Sequence, residues 1–182
     1  SRAIGLNVGT QEEYDALTTD PVFLQSLGIE SGDLEGYLYP LTYRFFDRLP
    51  NAREFIRAGV SEFFKQLPEN YVNSLEQVGL SLYQAIIFAS LIERESQILD
   101  EKPKIAEVIW NRLRDKIPLA IDASIIYGMS DYNGALNIKH LSDKKNIYNT
   151  RIHKGLPPTP ICSPSKSSLL SLLNPTNEGY YF

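Results

Sequence analysis

The chain of 182 residues is 43% hydrophobic and 22% charged, a composition typical of one folded domain, alone or with a small accessory piece. Its formal net charge of −4, without any cluster of lysine and arginine, argues against a nucleic-acid partner. One cysteine excludes an internal disulfide, and the two distant histidines, His140 and His153, lack the spacing of a metal site. We therefore expect a protein that uses no metal and no other cofactor.

The sequence has no apolar run close to the roughly 18 residues that cross a membrane. The longest apolar run, residues 85–92, has the length of a buried core helix. No N-terminal signal peptide is visible. The sequence starts on serine and stops on EGYYF, so we expect a piece of a longer protein, in which missing targeting segments are uninformative.

The first part of the chain predicts three helices around an irregular segment. Thr10, followed by acidic residues, predicts a helix N-cap. Residues 20–21, Asp-Pro, end that helix and begin a second one, which has Gly28 as its C-cap. Residues 34–45 are rich in tyrosine and leucine and predict a buried, irregular segment, whereas residues 51–67 have helical apolar spacing.

The middle of the chain predicts two long helices. Ser81 and Gln84 form a capping-box pair at the start of the first one. Because this helix is apolar nearly all round over residues 85–92, we expect it to lie buried in the centre of the domain. Residues 101–117 predict the second helix, with a proline in its first turn.

The last part of the chain predicts the β-structure. Residues 120–129 favour a strand that enters a turn, and residues 131–159 are mostly loop. Residues 163–175 predict a short capped helix, and residues 179–182 a final strand. The predicted fold class is therefore α+β: a mostly helical domain around a buried central helix, with a small late β-sheet.

The stretch FASLIERES places two glutamates at the end of the central helix. Glu93 and Glu95 lie about 200° apart around a helix axis, so they cannot share one site. A carboxyl held against the apolar face would have a raised pKa and could act as a general acid. The spacing does not distinguish the two glutamates, and on spacing alone we favour surface charges paired with Arg94 or Lys102.

Five blocks follow one another along the chain: LEGYLYPLTYRF, FASLIERES, EKPKIAEVIWNRL, DASIIYGM and YNTRIHKGLPPTPICSPSKSSLLSLLNP. As a set they resemble the YceG-like (MltG) family of endolytic murein transglycosylases. Together they cover most of the chain from residue 34 onward. The resemblance implies a lytic transglycosylase with a lysozyme-like cleft, which cleaves peptidoglycan between N-acetylmuramic acid and N-acetylglucosamine and leaves a 1,6-anhydro end.

The resemblance also assigns the catalytic residue. The second glutamate of the family's E-[KR]-E-[ST] motif falls on Glu95, followed by Ser96, and it leaves Glu93 as a structural or supporting group. Glu95 would protonate the leaving oxygen and then take the proton of the muramic acid C6 hydroxyl as this hydroxyl attacks C1. Because the nucleophile arrives with the substrate, one carboxyl suffices.

We expect eight further residues to bind substrate in the cleft: Glu35, Asn111, Asp122, Ser124, Tyr127, Tyr148, Asn149 and Thr150. Most also have a structural interpretation. Glu35 could bond backbone amides at a glycine bend, and Asn111 could cap or pair on the exposed flank of its helix. Tyr127 is equally consistent with the core, and residues 148–150 with an ordinary asparagine turn.

The chain departs from the family pattern at five positions. Ala120 and Ile121 stand where the family has Gln-Thr, and Ala123 replaces a proline. Leu41 replaces an aspartate, and Ser165 replaces a turn glycine. The missing glutamine removes a hydrogen-bond donor from the substrate contacts expected beside the next aspartate, but none of these changes touches the catalytic glutamate.

The resemblance implies a wider organisation. Residues 1–30 would be the end of a LysM-like accessory region or a helical lead-in, and residues 31–182 a catalytic domain truncated at its C-terminus. An upstream anchor would hold the bacterial protein in the cytoplasmic (inner) membrane, with this domain facing the periplasm or cell wall. Peptidoglycan strands are the expected partner, and cell-wall synthesis proteins are further ones.

Two other functions are compatible with the sequence. A lysozyme-type hydrolase needs a second carboxylate, for which Glu35 and Asp122 are candidates. A non-catalytic module that only binds peptidoglycan, or serves as a scaffold, would not depend on Glu95 at all.

Overall fold

The structure, a computed structural model, describes residues 9–45 and 50–181, and every regular element in these ranges is a helix. The helices are α1 (Gln11–Thr18), α2 (Pro21–Ser26), α3 (Ala52–Gln66), α4 (Tyr71–Gln77), α5 (Leu82–Glu95), α6 (Lys102–Arg114), α7 (Asp122–Tyr127), α8 (Ile138–Leu141) and α9 (Lys166–Leu173). A single 3₁₀ turn, Leu99–Glu101, leads into α6. The chain divides into two compact units, which meet in sequence between Leu67 and Pro68. The predicted functional boundary between residues 30 and 31 stays a prediction.

The predicted α+β fold class is wrong, because the described residues contain no β-strand. The apolar run after Asp122 forms the short helix α7. A run of this length fits a buried strand or a buried helix equally well, so its pattern could not decide between them. Residues 179–181 are irregular, because side chains of α6 bind their backbone groups in place of a neighbouring strand. Phe182 lies outside the described residues.

The first unit contains α1, α2 and α3, whose starts are set by polar caps. Thr10 and Asn51 each take part in a capping box, and the Asp20 carboxylate accepts two backbone N–H groups at the start of α2. These helices confirm the elements predicted from the sequence. The segment 34–45 is irregular, as predicted, but the predicted burial holds only at its start, where Leu34 and Tyr37 are buried; Leu41 and Phe45 are exposed.

The second unit is built around α5, as its apolar composition predicts. Residues 85–92 are all buried, and α4, α6, α7 and α9 pack against α5. Burial on all sides fixes α5, so the residues at its C-terminal end have defined positions. Within residues 9–45 and 50–181, no single helix is both long and apolar enough to cross a membrane. Helices α4 and α5 are long and apolar enough only when taken together, and their axes are bent by 92° relative to each other.

Candidate active site

Glu95 is the last residue of α5, and a pocket of about 470 Å³ opens beside it. One wall of the pocket is the face of α6 that carries Ile105 and Val108. The loop at residues 119–121 forms a second wall, and Lys104, Arg112 and Tyr180 also line the pocket. The pocket therefore places a carboxyl group beside mainly apolar walls, an arrangement typical of ligand sites.

The carboxyl group of Glu95 is poised to hold a proton. Loss of water contact against the pocket walls raises its pKa, and the negative charge of Asp122 raises it further. The side chain is nevertheless exposed, since the pocket is open to solvent, and Glu95 forms no hydrogen bond or ion pair with any residue that the structure describes. The apolar run 85–92 faces the core, so α6 and the 119–121 loop, and not this run, surround the carboxyl.

Glu93, two positions earlier, is tied into a polar cluster. Its Oε2 accepts hydrogen bonds from the backbone N–H of Ser165 (3.1 Å), the hydroxyls of Ser165 and Ser168 (both 2.6 Å) and the Lys102 ammonium group (2.9 Å). Burial alone would raise its pKa, but these hydrogen bonds outweigh burial and lower the pKa to about 2. Glu93 is therefore a fixed anion that holds α9 against α5.

Lys102 is the buried cation of this cluster, with only 3% of its side chain exposed. Its ammonium group also donates to the hydroxyls of Ser165 (3.1 Å) and Ser167 (2.9 Å). The pairing of Glu93 with Lys102 that the sequence favours is thus present, but inside the unit and not on its surface. Ser165, which replaces the family's glycine, adds its hydroxyl to the cluster, whereas its backbone N–H is a donor that a glycine would also supply.

Asp122 forms an ion pair that the sequence did not predict. Its Oδ1 accepts from Nη2 (2.8 Å) and Nε (3.0 Å) of Arg151. This positive charge offsets part of the negative charge of Asp122, which acts on Glu95. Arg151 follows the predicted polar trio 148–150, but no sequence pattern connects it to a residue 29 positions away.

Two of the predicted substrate-binding residues, Ser124 and Thr150, form hydrogen bonds with the loop beside Glu95. Thr150 accepts the backbone N–H of Ala120 on its carbonyl oxygen and that of Ile121 on its hydroxyl (both 2.9 Å). The hydroxyl of Ser124 bonds to Thr150 Oγ1 (2.9 Å) and donates to the carbonyl of Ile121 (2.7 Å). Ser124 and Thr150 are buried, so they shape the pocket through this loop. Ala120 is held at a φ of 55°, a strained left-handed conformation for alanine.

Two asparagines in the predicted set are also buried and fully engaged. Asn149 Nδ2 donates to the carbonyls of His140 (3.3 Å), Leu141 (3.2 Å) and Asp143 (3.0 Å), which fixes the long loop after α7. Asn111 was expected on an exposed flank of α6, but it is buried and its Nδ2 donates to the carbonyl of Tyr180 at 2.8 Å. The irregular C-terminal segment covers that flank, and the α6 pattern alone could not show this.

The two tyrosines of the set lie beside each other. The rings of Tyr127 and Tyr148 meet edge to face, with their centroids 4.9 Å apart, and the Tyr148 hydroxyl bonds to Thr159 Oγ1 at 2.9 Å. Tyr127 is 39% exposed, which excludes the core interpretation. Neither ring lines the Glu95 pocket, so their predicted contact with substrate stays a prediction.

Glu35 belongs to the first unit, where its backbone N–H donates to Asp33 Oδ1 beside the Gly36 bend. Its predicted role in the cleft also stays a prediction. Sequence reasoning missed two other residues that line the Glu95 pocket, Lys104 and Tyr180. Lys104 lies within the predicted helix, but the apolar stripe of that helix gives no signal that a lysine faces a pocket.

Comparison with known proteins establishes the family. The YceG-like family matches residues 6–182, so the chain belongs to it, and the resemblance found in the sequence is confirmed. The chain is 30% identical over 172 residues to the endolytic murein transglycosylase of Bacillus subtilis, in a match covering 94% of this chain and 46% of that protein. It is 27% identical over 179 residues to the endolytic murein transglycosylase of Streptococcus pneumoniae serotype 2, covering 92% and 32% of the two proteins.

The fold agrees with a solved structure as well. The crystal structure of a YceG-like protein from Listeria monocytogenes aligns with a TM-score of 0.82 at 26% identity, over 95% of this chain and 61% of that one. The chain spans less than half the length of the curated relatives it matches.

Proposed function

We propose that the chain is the catalytic part of a murein lytic transglycosylase, which cleaves peptidoglycan glycan strands between N-acetylmuramic acid and N-acetylglucosamine and leaves 1,6-anhydro ends. The names of its relatives support this activity. One observation of the structure carries the proposal. Glu95 combines a raised pKa with a position at an open pocket, whereas the nearby Glu93 is a fixed anion.

The proposed reaction needs one proton carrier. Protonated Glu95 donates its proton to the glycosidic oxygen as the bond from that oxygen to C1 of the muramic acid breaks. The C6 hydroxyl oxygen of the same sugar then bonds to C1, and the Glu95 carboxylate takes the hydroxyl proton. The enzyme returns to its starting protonation state and no water is consumed. Because the attacking hydroxyl belongs to the substrate, the step is intramolecular and has a large entropic advantage.

The other predicted site residues divide into two proposed roles. Asp122 would contact the substrate directly. Both hydrogen bonds from Arg151 go to its Oδ1, so its Oδ2 can accept a sugar hydroxyl. Tyr127 and Tyr148 remain proposed contacts for a longer strand, as does Glu35. Three buried residues would act on the pocket through the backbone they hold, Asn111, Ser124 and Thr150, whereas Asn149 would fix the loop at residues 140–143.

The location of the activity follows from the substrate. Peptidoglycan lies outside the cytoplasmic membrane, so the proposed enzyme works on the periplasmic or cell-wall side. We propose that the full protein is anchored in that membrane by an N-terminal segment, and that it acts near the proteins that synthesise glycan strands. Both statements rest on the family.

A lysozyme-type hydrolase is the second candidate, because the charge of Asp122 acts on Glu95. A hydrolase requires a second carboxylate at about 5 to 9 Å from the acid, as nucleophile or as base for water. Asp122 would have to perform this role while Arg151 holds its Oδ1 at 2.8 Å. Because Arg151 already occupies one oxygen of this carboxylate, we place the hydrolase second to the transglycosylase.

Product analysis in H₂¹⁸O separates these functions. The chain is incubated with purified glycan strands, and the released ends are analysed by mass spectrometry, with Glu95→Gln as control. We expect anhydro ends, each lighter than the hydrolysed end by one water and free of ¹⁸O. Reducing ends that carry ¹⁸O would instead establish a hydrolase. A chain that binds the strands but releases nothing would be a binding module.

A further inference from the structure

The irregular segment before the end of the described chain is held by a buried carboxylate. Glu107 lies on α6 with 5% of its surface exposed. Its Oε1 accepts the backbone N–H groups of Gly179 (2.6 Å) and Tyr180 (3.3 Å), and its Oε2 accepts the hydroxyl of Thr176. A carboxylate that is buried and accepts three hydrogen bonds fixes the backbone it binds, because an unpaired buried charge is costly.

Two further α6 side chains continue this attachment. Asn111, one helical turn beyond Glu107, donates from Nδ2 to the carbonyl of Tyr180 at 2.8 Å. Arg112 donates from Nε to the carbonyl of Tyr181 at 2.9 Å. Tyr180 therefore has both its N–H and its carbonyl bound to α6, and its hydroxyl donates to the Glu178 carboxylate. We call this set of three α6 residues, Glu107, Asn111 and Arg112, the α6 clamp.

The clamp determines what the side chain of Tyr180 does. With its backbone fixed on α6, Tyr180 lines the pocket that also contains Glu95. The α6 residues Ile105, Val108 and Ile109 line the same pocket and give it an apolar surface between the charged α6 side chains of Lys104 and Arg112. An aromatic ring in such a wall offers a flat surface for another apolar surface, and its large area makes the contact favourable. The pyranose ring of a hexosamine has such a surface in its axial C–H groups.

We propose that Tyr180 is a substrate-binding residue, whose ring packs against the sugar next to the scissile bond, and that the α6 clamp positions it there. This inference rests on the proposed function, since it assumes that the Glu95 pocket receives a glycan strand. It adds a binding residue at the C-terminal segment and a buried positioning residue, Glu107, which does not itself touch substrate.

Steady-state kinetics on soluble glycan strands test the inference. Tyr180→Ala should raise KM about tenfold, the effect of losing one aromatic contact, with a smaller change in kcat. Tyr180→Phe keeps the ring and should recover most of the lost affinity. Tyr132→Ala is the matched control, because Tyr132 is a 39% exposed tyrosine outside the pocket lining.

The clamp is tested by a double-mutant cycle. Glu107→Gln replaces one acceptor oxygen with a donor group, so it should raise KM by less than Tyr180→Ala does. Combined with Tyr180→Ala, it should add no further increase, because both changes act through the same ring. Additive effects on KM would show that Glu107 affects binding independently of the Tyr180 ring, and an unchanged KM in Glu107→Gln would show that it only stabilises the fold; either result would overturn its positioning role.

Two results bear differently on the inference and on the proposed function. If the wild type cleaves strands and Tyr180→Ala has the same KM, the inference is overturned while the function stands. If the wild type does not cleave strands and Glu95→Gln does not bind them, the function fails and the inference fails with it. Should Tyr180→Ala not fold, Tyr180→Leu keeps an apolar side chain without the ring, and a folded Tyr180→Leu with unchanged KM would equally overturn the inference.

Discussion

The two glutamates at the end of α5 have opposite environments although they are only two residues apart. Glu93 accepts four hydrogen bonds and faces a buried lysine, and its pKa falls to about 2. Glu95 lies at an open pocket, and its pKa rises. The group that is less exposed to solvent is thus the stronger acid. The difference shows that the supply of donors, and not burial by itself, decides which carboxyl can hold a proton.

The helix geometry makes this division possible. A separation of about 200° around the axis directs Glu93 toward α9 and Glu95 toward α6 and the 119–121 loop. One helix end can therefore present an anion to the core and a proton carrier to the pocket. The two groups should therefore differ in their effects on activity, on stability and on pH dependence.

The largest expected effect is the loss of cleavage in Glu95→Gln. Removing a general acid and base lowers kcat by about 10²- to 10⁴-fold. Stability should not fall, because Glu95 has no hydrogen bond within the part of the chain that the structure describes. The measurement is the rate of anhydro-end release, with the urea midpoint as the control for folding. Cleavage at the wild-type rate would remove Glu95 from the mechanism.

Glu93→Gln should instead affect stability. A shift of the pKa from 4.5 to about 2 corresponds to about 3 kcal/mol of the free energy of unfolding at neutral pH. The variant also leaves Lys102 buried without its counter-charge, which is destabilising. Urea unfolding at pH 7 measures the change. Since replacing a whole buried ion pair by apolar groups is often tolerated, Glu93→Leu with Lys102→Met should be more stable than Glu93→Gln.

The contribution of Glu93 to the free energy of unfolding has a defined pH dependence. Because the folded-state pKa of Glu93 is lower than its unfolded-state value, its stabilisation is complete above about pH 4.5 and is lost as the pH falls toward 2. The wild type should lose this contribution between those pH values, and Glu93→Gln should lack this part of the acid dependence. Equal acid dependence in both proteins would contradict the assignment of Glu93 as a fixed anion.

The smallest expected effects concern the Asp122–Arg151 ion pair. Arg151→Gln leaves the charge of Asp122 uncompensated, so the pKa of Glu95 should rise further, and only slightly because the ion pair is exposed. The alkaline limb of kcat/KM against pH then moves to higher pH. Asp122→Asn removes the charge that raises this pKa, so it should move the limb to lower pH. Shifts of the same sign in both variants would exclude an electrostatic cause.

Much of the second unit could be predicted from its sequence. The capping pair Ser81 and Gln84 and the continuous apolar run 85–92 fix the start and the burial of α5, because both signals are local. The strand predicted in the α7 region was wrong, since a short apolar run is compatible with either structure. The final segment could not be predicted either, because its backbone partners are side chains on α6, about 70 residues earlier in the sequence.

The candidate site was predictable only in part. The family motif predicts Glu95 as the catalytic residue, whereas helical spacing cannot separate it from Glu93. What distinguishes them physically lies far away in the sequence: Ser165 and Ser168 on one side, and Asp122 on the other. Likewise the roles of Ser124 and Thr150 depend on a hydrogen bond that joins residues 26 positions apart. Single-residue patterns carry no information about such pairs.

The central claim, that one glutamate is a fixed anion and the other a proton carrier, is tested most directly by a ¹³C NMR titration of the glutamate side-chain carboxyl carbons. Glu93→Gln and Glu95→Gln assign the two signals. We predict that the Glu95 signal titrates above its ordinary midpoint of 4.5 and that the Glu93 signal titrates near 2. A common midpoint for both signals, or a higher midpoint for Glu93, would contradict the account.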